Sequence, residues 1–395
     1  VVARVDGVDL VPVRFRAVRH KHLYTFMNES FNGTSPTQEE TPEARNNRIF
    51  EGFNKEMLEM GLTPITIIQG STARNIVALE SGGALNRPFA VFEVSPDYDP
   101  EARLIYKSEV PSERGEGTDR EVYFYSSILP QIQKELPNET RENIVFPLLS
   151  HVYQGPSRPK GILLSKLEGK ILGTGDRAHL GILEERDLDL IVDLIRAVQK
   201  IDPATIDKSK VALPDLDYSV LERQRVEEKK EILREILGEG ALLKIEKLLE
   251  ESAAAQKNQP LYLLSEDVFT TNLMKLADGR LGSFDWERLH TGKNPADDYG
   301  KMVTRLWSEP ELQSKIISKI LEANQDIPGF QEMFRSNLIS REGSHFLNHY
   351  HDILTTYAAN PARVSAEQYE EAKAGKLAMQ KLIMEAASGI GPWQK

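Results

Sequence analysis

The sequence predicts an α+β chain in which a β-rich first half precedes a mostly helical second half. Three observations carry this. Between Thr63 and Glu109 the runs ITIIQ, NIVALES, FAVFEV and RLIYKSE are apolar and rich in β-branched residues, each bounded by turn residues, which is the pattern of strands. After about Leu183 the apolar positions recur at helical spacing, as in DLDLIVDLIRAVQKI. Late in the chain, two apolar runs flank Asp278-Gly279, a tight hairpin turn set among helices.

Taken in order, residues 1–22 alternate apolar and polar and read as one or two short strands, residues 28–48 as a polar loop, and residues 49–60 as a short helix. Gly82-Gly83 separates the second strand run from the third, and a Pro-Asp-Tyr-Asp-Pro turn the third from the fourth. Thr118 or Asp119 caps a helix, REVYFYSSILPQIQKEL, which Pro130 is expected to bend or interrupt. GILLSKLE (161–168) is a further strand. The helix DLDLIVDLIRAVQKI stops at Asp202-Pro203, residues 217–256 hold two charged amphipathic helices split at Gly238 and Gly240, and residues 300–390 are helical. The charge runs EERDLDL and ERQRVEEKKE read as solvated helix faces.

A length of 395 residues suits two lobes, and 40% hydrophobic with 28% charged residues is ordinary for a globular chain. The net charge of −11 argues against a nucleic-acid partner. With no cysteine, disulfides, thiolate zinc sites and cysteine nucleophiles are excluded. No run approaches the roughly 18 apolar residues of a membrane span, and charges break the first 22 residues where a signal peptide would need an apolar core. The expectation is a cytoplasmic chain with neither a membrane nor a nucleic-acid partner; its oligomeric state is not written in the sequence.

The segment Leu261–Glu287, LYLLSEDVFTTNLMKLADGRLGSFDWE, names a chemistry. Asp267 follows the first apolar run, Asn272 comes five residues later, and Asp285 closes the second run. A carboxylate to take a hydroxyl proton and two oxygen ligands for Mg²⁺ are what transfer of a nucleotide phosphate needs. Such transfer is mostly positioning and charge neutralisation, so three further parts are sought upstream. Ser81-Gly82-Gly83-Ala84-Leu85-Asn86 can bring main chain against phosphates, with Gly70-Ser71-Thr72-Ala73 as a rival loop. Lys107, in the strand after that loop, is the candidate phosphate cation, facing in or out according to register. Glu121, 14 residues on in the next helix, is the acid that would orient it. Singly, each has a plain structural reading: a hairpin turn, an exposed lysine, a glutamate favoured by a helix N-terminus. Their order and spacing together favour phosphoryl transfer. His345, His349 and His351 offer a rival zinc reading, without the glutamate of an H-E-x-x-H arrangement.

With these residues in place, the chain resembles the aminoglycoside phosphotransferase and choline kinase-like family, relatives of the protein kinases, from about residue 62 to residue 360. Asp267 with Asn272, Phe284-Asp285-Trp286-Glu287, and Asn294-Pro295-Ala296-Asp297-Asp298-Tyr299-Gly300 carry the likeness, the last with Asp298 as the brace of the site. The resemblance implies a protein kinase-like bilobal fold: an N-terminal extension over 1–60, a nucleotide-binding N-lobe over 61–160, a hinge over 161–170 and a helical C-lobe over 171–395. It implies ATP and Mg²⁺ as cofactors, with adenine along the main chain near Ser165 and Leu167, phosphates under Gly82, Gly83 and Asn86, a Lys107–Glu121 pair, Asp267 as base, and Asn272 and Asp285 on the metal. Ser265-Glu266 departs from the family's His-Gly before the base. The expected activity is transfer of the γ-phosphate to a hydroxyl of a small acceptor, with a cationic one as an option through Asp215, Asp217, Glu222 and Glu287. The alternative is a pseudokinase or nucleotide-binding module. The segment after Asp285 is short and lacks an A-P-E anchor, which favours a small acceptor over a protein.

Overall fold

Strand alternation in the N-terminal part resolves into a five-stranded antiparallel sheet. Its strands are β1 (Leu62–Ile67), β2 (Phe89–Pro96), β3 (Leu104–Glu109), β5 (Leu149–Gln154) and β6 (Pro159–Ser165), in the order β1-β2-β3-β6-β5. Register pairs Lys107 of β3 with Val91 on one side and Ile162 on the other. Successive side chains leave opposite faces. Tyr106 therefore joins Met57, Leu62, Phe92, Val94 and Leu163 in a small core on one face. Ile105, Ile162 and Leu164 join the main core on the other, the face to which Lys107 belongs. The computed structural model describes residues 57–67, 89–109, 117–154, 159–173, 178, 182–265, 267–269 and 271–394. The loops at Gly70 and at Gly82, Gly83 and Asn86, the strands expected in residues 1–22, the NIVALES run and Glu266 lie outside the described residues.

The helix expected at 120–136 forms as two pieces, Gly117–Tyr123 and Leu129–Glu135, joined by a π turn over Phe124–Ile128. Pro130 accounts for the break. It has no N–H for the carbonyl four residues back, and its ring pushes that carbonyl aside. The widened turn carries the chain past it.

Most of residues 161–170, expected as a hinge, is strand. Residues 166–168 connect β6 to β7 (Gly169–Ile171), which belongs to a second sheet with β4 (Ile144–Val145), β10 (Leu273–Leu276) and β11 (Leu281–Ser283), ordered β4-β11-β10-β7. Gly279, at φ +84°, closes the β10–β11 hairpin as the Asp-Gly signal predicts. A third sheet places β12 (His290–Gly292) between β8 (Asp215–Leu216) and β9 (Tyr262–Leu264). The catalytic-loop candidates lie between β9 and β10, so the second and third sheets fix both of its ends.

The rest is helical. Residues 217–256 form three helices rather than two: Tyr218–Glu228, Lys230–Leu237 and Glu239–Lys257. Gly238, at φ +83°, makes the expected break, Gly240 lies inside the third helix, and the extra break falls at Lys229. Near the C-terminus, Phe330–Asn337 runs into a π turn, Leu338–Gly343, and on into Ser344–Ala359, with Ala366–Ser388 packed against it. One apolar core extends from Phe124 and Ile162 to Trp393. No helix among the described residues is long and apolar enough to cross a membrane.

Candidate active site

Lys107 lies inward. It is 6% exposed, and its Nζ stands 2.5 Å from Glu121 Oε2, 2.8 Å from Asp285 Oδ1 and 3.7 Å from Glu287 Oε2. These partners come from three places: the middle of the five-stranded sheet, the helix after it, and the segment following β11. Burial opposes the lysine's charge, but Asp285, Glu121 and Glu287 outweigh it and hold the ammonium well above its ordinary range. The acids show the other side of the balance. Burial and then Asp285 push Glu287 up to about 8. Burial also raises Glu121, against the pull of Lys107. Three carboxylates around one ammonium are short of positive charge.

Two aromatic rings and one arginine lock this junction. Trp286 stacks on Phe124 with centroids 4.3 Å apart and planes 5° apart, and Arg120 Nε donates to the Glu287 carbonyl at 2.6 Å. Glu121 thus sits between two residues of its own helix that each grip the Asp285-Trp286-Glu287 segment. Asp285 has φ +66°, alone among the described non-glycine residues in the left-handed region. Aspartate tolerates that conformation better than most residues, and such outliers cluster at functional sites.

The loop with Asp267 is held from below. Ser265 N donates to the Asp298 carboxylate at 3.0 and 3.4 Å, so the brace forms even though Ser265 stands where the resembled family has histidine. Asn272 Nδ2 donates to the Asp267 carbonyl at 2.9 Å, which leaves its Oδ1 as the atom it can offer a cation. The Phe284 N–H donates to the Asn272 carbonyl at 3.1 Å, and Leu273 pairs with Ser283. Asn272 and Asp285 therefore flank the open end of one hairpin. The Asp267 carboxylate, 8% exposed, pairs with Lys301 through Oδ1 and with Arg288 through Oδ2, the latter at 3.6 Å. Sequence reasoning missed both cations. Arg288 lies three residues past Asp285 and was within reach of the motif; Lys301 arrives on a separate helix, Gly300–Thr304, with no local signal.

The donor set suits a hard divalent cation. Glu121, Asp285 and Glu287 place carboxylate oxygens within 4.8 Å of one another. Glu121 Oε1 and Glu287 Oε2 are buried without a hydrogen-bond partner among the described residues. At the hinge, Ser165 exchanges main-chain and side-chain hydrogen bonds with Leu148, at 2.9 Å and 2.8 Å. Leu167 lies over Gly282, where an added Cβ would come within 2.9 Å of its Cδ1.

The acids read as receivers of a cationic acceptor have other duties. Glu222 is buried and accepts from Ser252, Asn294, Ser336 and Gln256. Asp217 caps the helix Tyr218–Glu228, Asp215 accepts from Thr291, and Glu287 faces Lys107. No group of three metal ligands forms around His345 and His349 among the described residues, and His351 contacts Lys376.

No protein-family model matches the sequence, and no curated protein matches it. Among solved structures the chain is similar to a spectinomycin phosphotransferase in complex with ADP and spectinomycin, at 13% identity and TM-score 0.47, covering 86% of this chain and 97% of that one. It is similar to a macrolide 2′-phosphotransferase from Brachybacterium faecium, at 12% identity and TM-score 0.45, covering 82% and 97%. An aminoglycoside 2′-phosphotransferase variant in complex with GDP gives 11% identity and TM-score 0.49, covering 84% and 97%.

Proposed function

We propose that this chain is an ATP-dependent phosphotransferase that moves the γ-phosphoryl group to a hydroxyl of a small acceptor. The observation that carries the reading is the buried Lys107–Glu121–Asp285 cluster, assembled from residues 178 positions apart with Asp267 in the adjoining loop. A lysine paired with a helix glutamate and set against an Asp-Trp-Glu segment is the arrangement that receives nucleotide phosphates. A divalent ion at Asn272 and Asp285 would neutralise phosphate charge there. Lys107 would bind the phosphates in place of one of its present carboxylate partners. Asp267 would orient the acceptor hydroxyl and take its proton. Leu167 and the hinge main chain would face the base of the nucleotide, with Gly282 making room beneath.

The test is ³¹P NMR of the purified protein with ATP, Mg²⁺ and pooled small hydroxyl compounds. A new phosphomonoester resonance, absent with Asp267→Asn, is the expected result. Slow ATP hydrolysis to inorganic phosphate with no ester, equal in both proteins, would refute the transferase reading.

A further inference from the structure

Next to the helix that carries Lys301 lies a group of cations only partly matched by acids. The helix Tyr218–Glu228 ends with Arg225 in its last turn and Lys229 at its C-cap. Four residues apart, they share one helix face. Among the described residues neither has an ion-pair partner within 4 Å, and Arg225 Nη1 is buried with no hydrogen-bond partner. The nearest acid in sequence, Glu228, is exposed and accepts from Gln224 of its own helix. This helix packs on the π turn Leu338–Gly343, which carries Glu342.

Glu342 is already engaged: Arg305 Nη1 donates to it at 2.6 Å, and Arg341 Nε lies 3.2 Å away. Arg305 is 7% exposed, lies 4.5 Å over the Phe346 ring, and keeps its Nε buried without a hydrogen-bond partner among the described residues. Burial lowers Lys229 from its ordinary value, and Arg225 adds to that against the opposing pull of Glu228 and Glu342. Partial burial of its ring and then Lys229 lower His345, against Glu342. All this gathers in a chain whose net charge is −11.

The cluster is linked to the base through Lys301. Arg305 follows Lys301 by one helical turn, roughly 6 Å, and Lys301 holds Asp267. A Cβ on Gly300 would come within 3.5 Å of Glu342 Cγ. Lys229 is half-buried and His345 exposed, so the cluster opens to solvent on that side.

We propose that Arg225, Lys229 and Arg305 recognise the acceptor, and that the acceptor carries an anionic group, phosphate or carboxylate, about one helical turn from the hydroxyl presented to Asp267. The proposal rests on the phosphotransfer reading and names the substrate class of that same site. A buried N–H without an acceptor is costly, more so when charged, and an anion supplies the missing acceptors. The guanidinium fork matches both phosphate and carboxylate. The acids that would greet a cation are, by contrast, committed to caps and buried networks.

Two arms test this on the full chain. In the first, calorimetry measures binding of inorganic phosphate and, separately, of malonate, with the nucleotide site filled by AMP-PNP and Mg²⁺. Saturable binding that weakens at least about tenfold in Arg225→Gln and Lys229→Gln supports the site, and the tighter of the two probes identifies the group. No saturable binding, or binding unchanged in both variants, overturns it. In the second, turnover is compared across glycerol, glycerol phosphate and glycerate, and across a matched amino alcohol series. The proposal expects an anionic acceptor to lead in kcat/KM by tenfold or more, with KM rising and kcat nearly steady in Lys229→Gln and recovery in Lys229→Arg. Preference for neutral or cationic alcohols overturns it. Failure of the phosphotransfer reading shows separately, as loss of AMP-PNP binding or of turnover with every acceptor. Thermal melts of each variant check that both are folded.

Discussion

At the scale of single residues, the proposed function gives Asp267 and Lys107 different duties that substitution can separate. Replacing Asp267 by Asn keeps its shape and its place beside Lys301 while removing the proton acceptor. The expected outcome is a fall in kcat of about 10²–10⁴ with AMP-PNP affinity intact, measured by steady-state kinetics beside a binding titration. Lys107→Met strips a buried cation from three acids. It should abolish nucleotide binding and lower stability by about 3–5 kcal/mol, read from urea denaturation; full stability would mean that the acids are neutral or hydrated without it. At this scale the sequence was most informative where partners are local. Asp267, Asn272 and Asp285 sit on one loop and hairpin, so their spacing along the chain is nearly their spacing in space. Lys301, Arg305 and Glu342 reach the same region from separate elements, and no spacing rule links them to it.

At the scale of elements, the grip of Trp286 on Phe124 couples the helix bearing Glu121 to the segment bearing Asp285. Trp286→Ala removes a nearly fully buried ring and should cost about 3–5 kcal/mol. It should also raise the KM for ATP, because the lysine's three carboxylate partners lose their common support. Unchanged ATP affinity in a folded variant would show that the stack serves stability alone. Strands with clean alternation, β2 and β3, were legible. β5 was not, because Ser150, His151 and Gln154 interrupt its apolar pattern. The break at Lys229 had no glycine or proline to announce it. Pro130 did announce an interruption, though as a π turn before the proline rather than as a simple bend.

At the scale of the whole molecule, the helical part is braced around Asp297. It accepts from Tyr218 Oη at 2.8 Å and Asn337 Nδ2 at 2.9 Å and pairs with Arg341 at 2.6 Å. Burial alone would raise this carboxyl, but Arg341 and His290 outweigh it and bring it from the ordinary 3.8 down to about 2. A depressed carboxylate stabilises the fold fully above its unfolded value, and that contribution is lost as pH falls from about 3.8 through about 2. Its size is about 2 kcal/mol. Urea denaturation at pH 6 and at pH 2 should therefore show the native chain losing about 2 kcal/mol more than Asp297→Asn; equal losses would place the acid sensitivity elsewhere. The two-part architecture was legible from composition along the chain, since strand and helix periodicities separate cleanly near Leu183. The basic surround of Asp267 was not legible, because a net charge of −11 describes the sum and not its distribution.

On the proposed reading, the Lys107–Asp285 cluster receives a nucleotide whose phosphate passes to a hydroxyl at Asp267. The most direct measurement is Mg²⁺-dependent ADP release from ATP with a panel of small alcohols, native chain against Asp267→Asn, with AMP-PNP binding followed in parallel. The account predicts acceptor-dependent release that drops by about 10²–10⁴ in the variant while binding stays the same. Tight AMP-PNP binding with no release above the Asp267→Asn level, across the whole panel, would contradict it and leave a nucleotide-binding module without turnover.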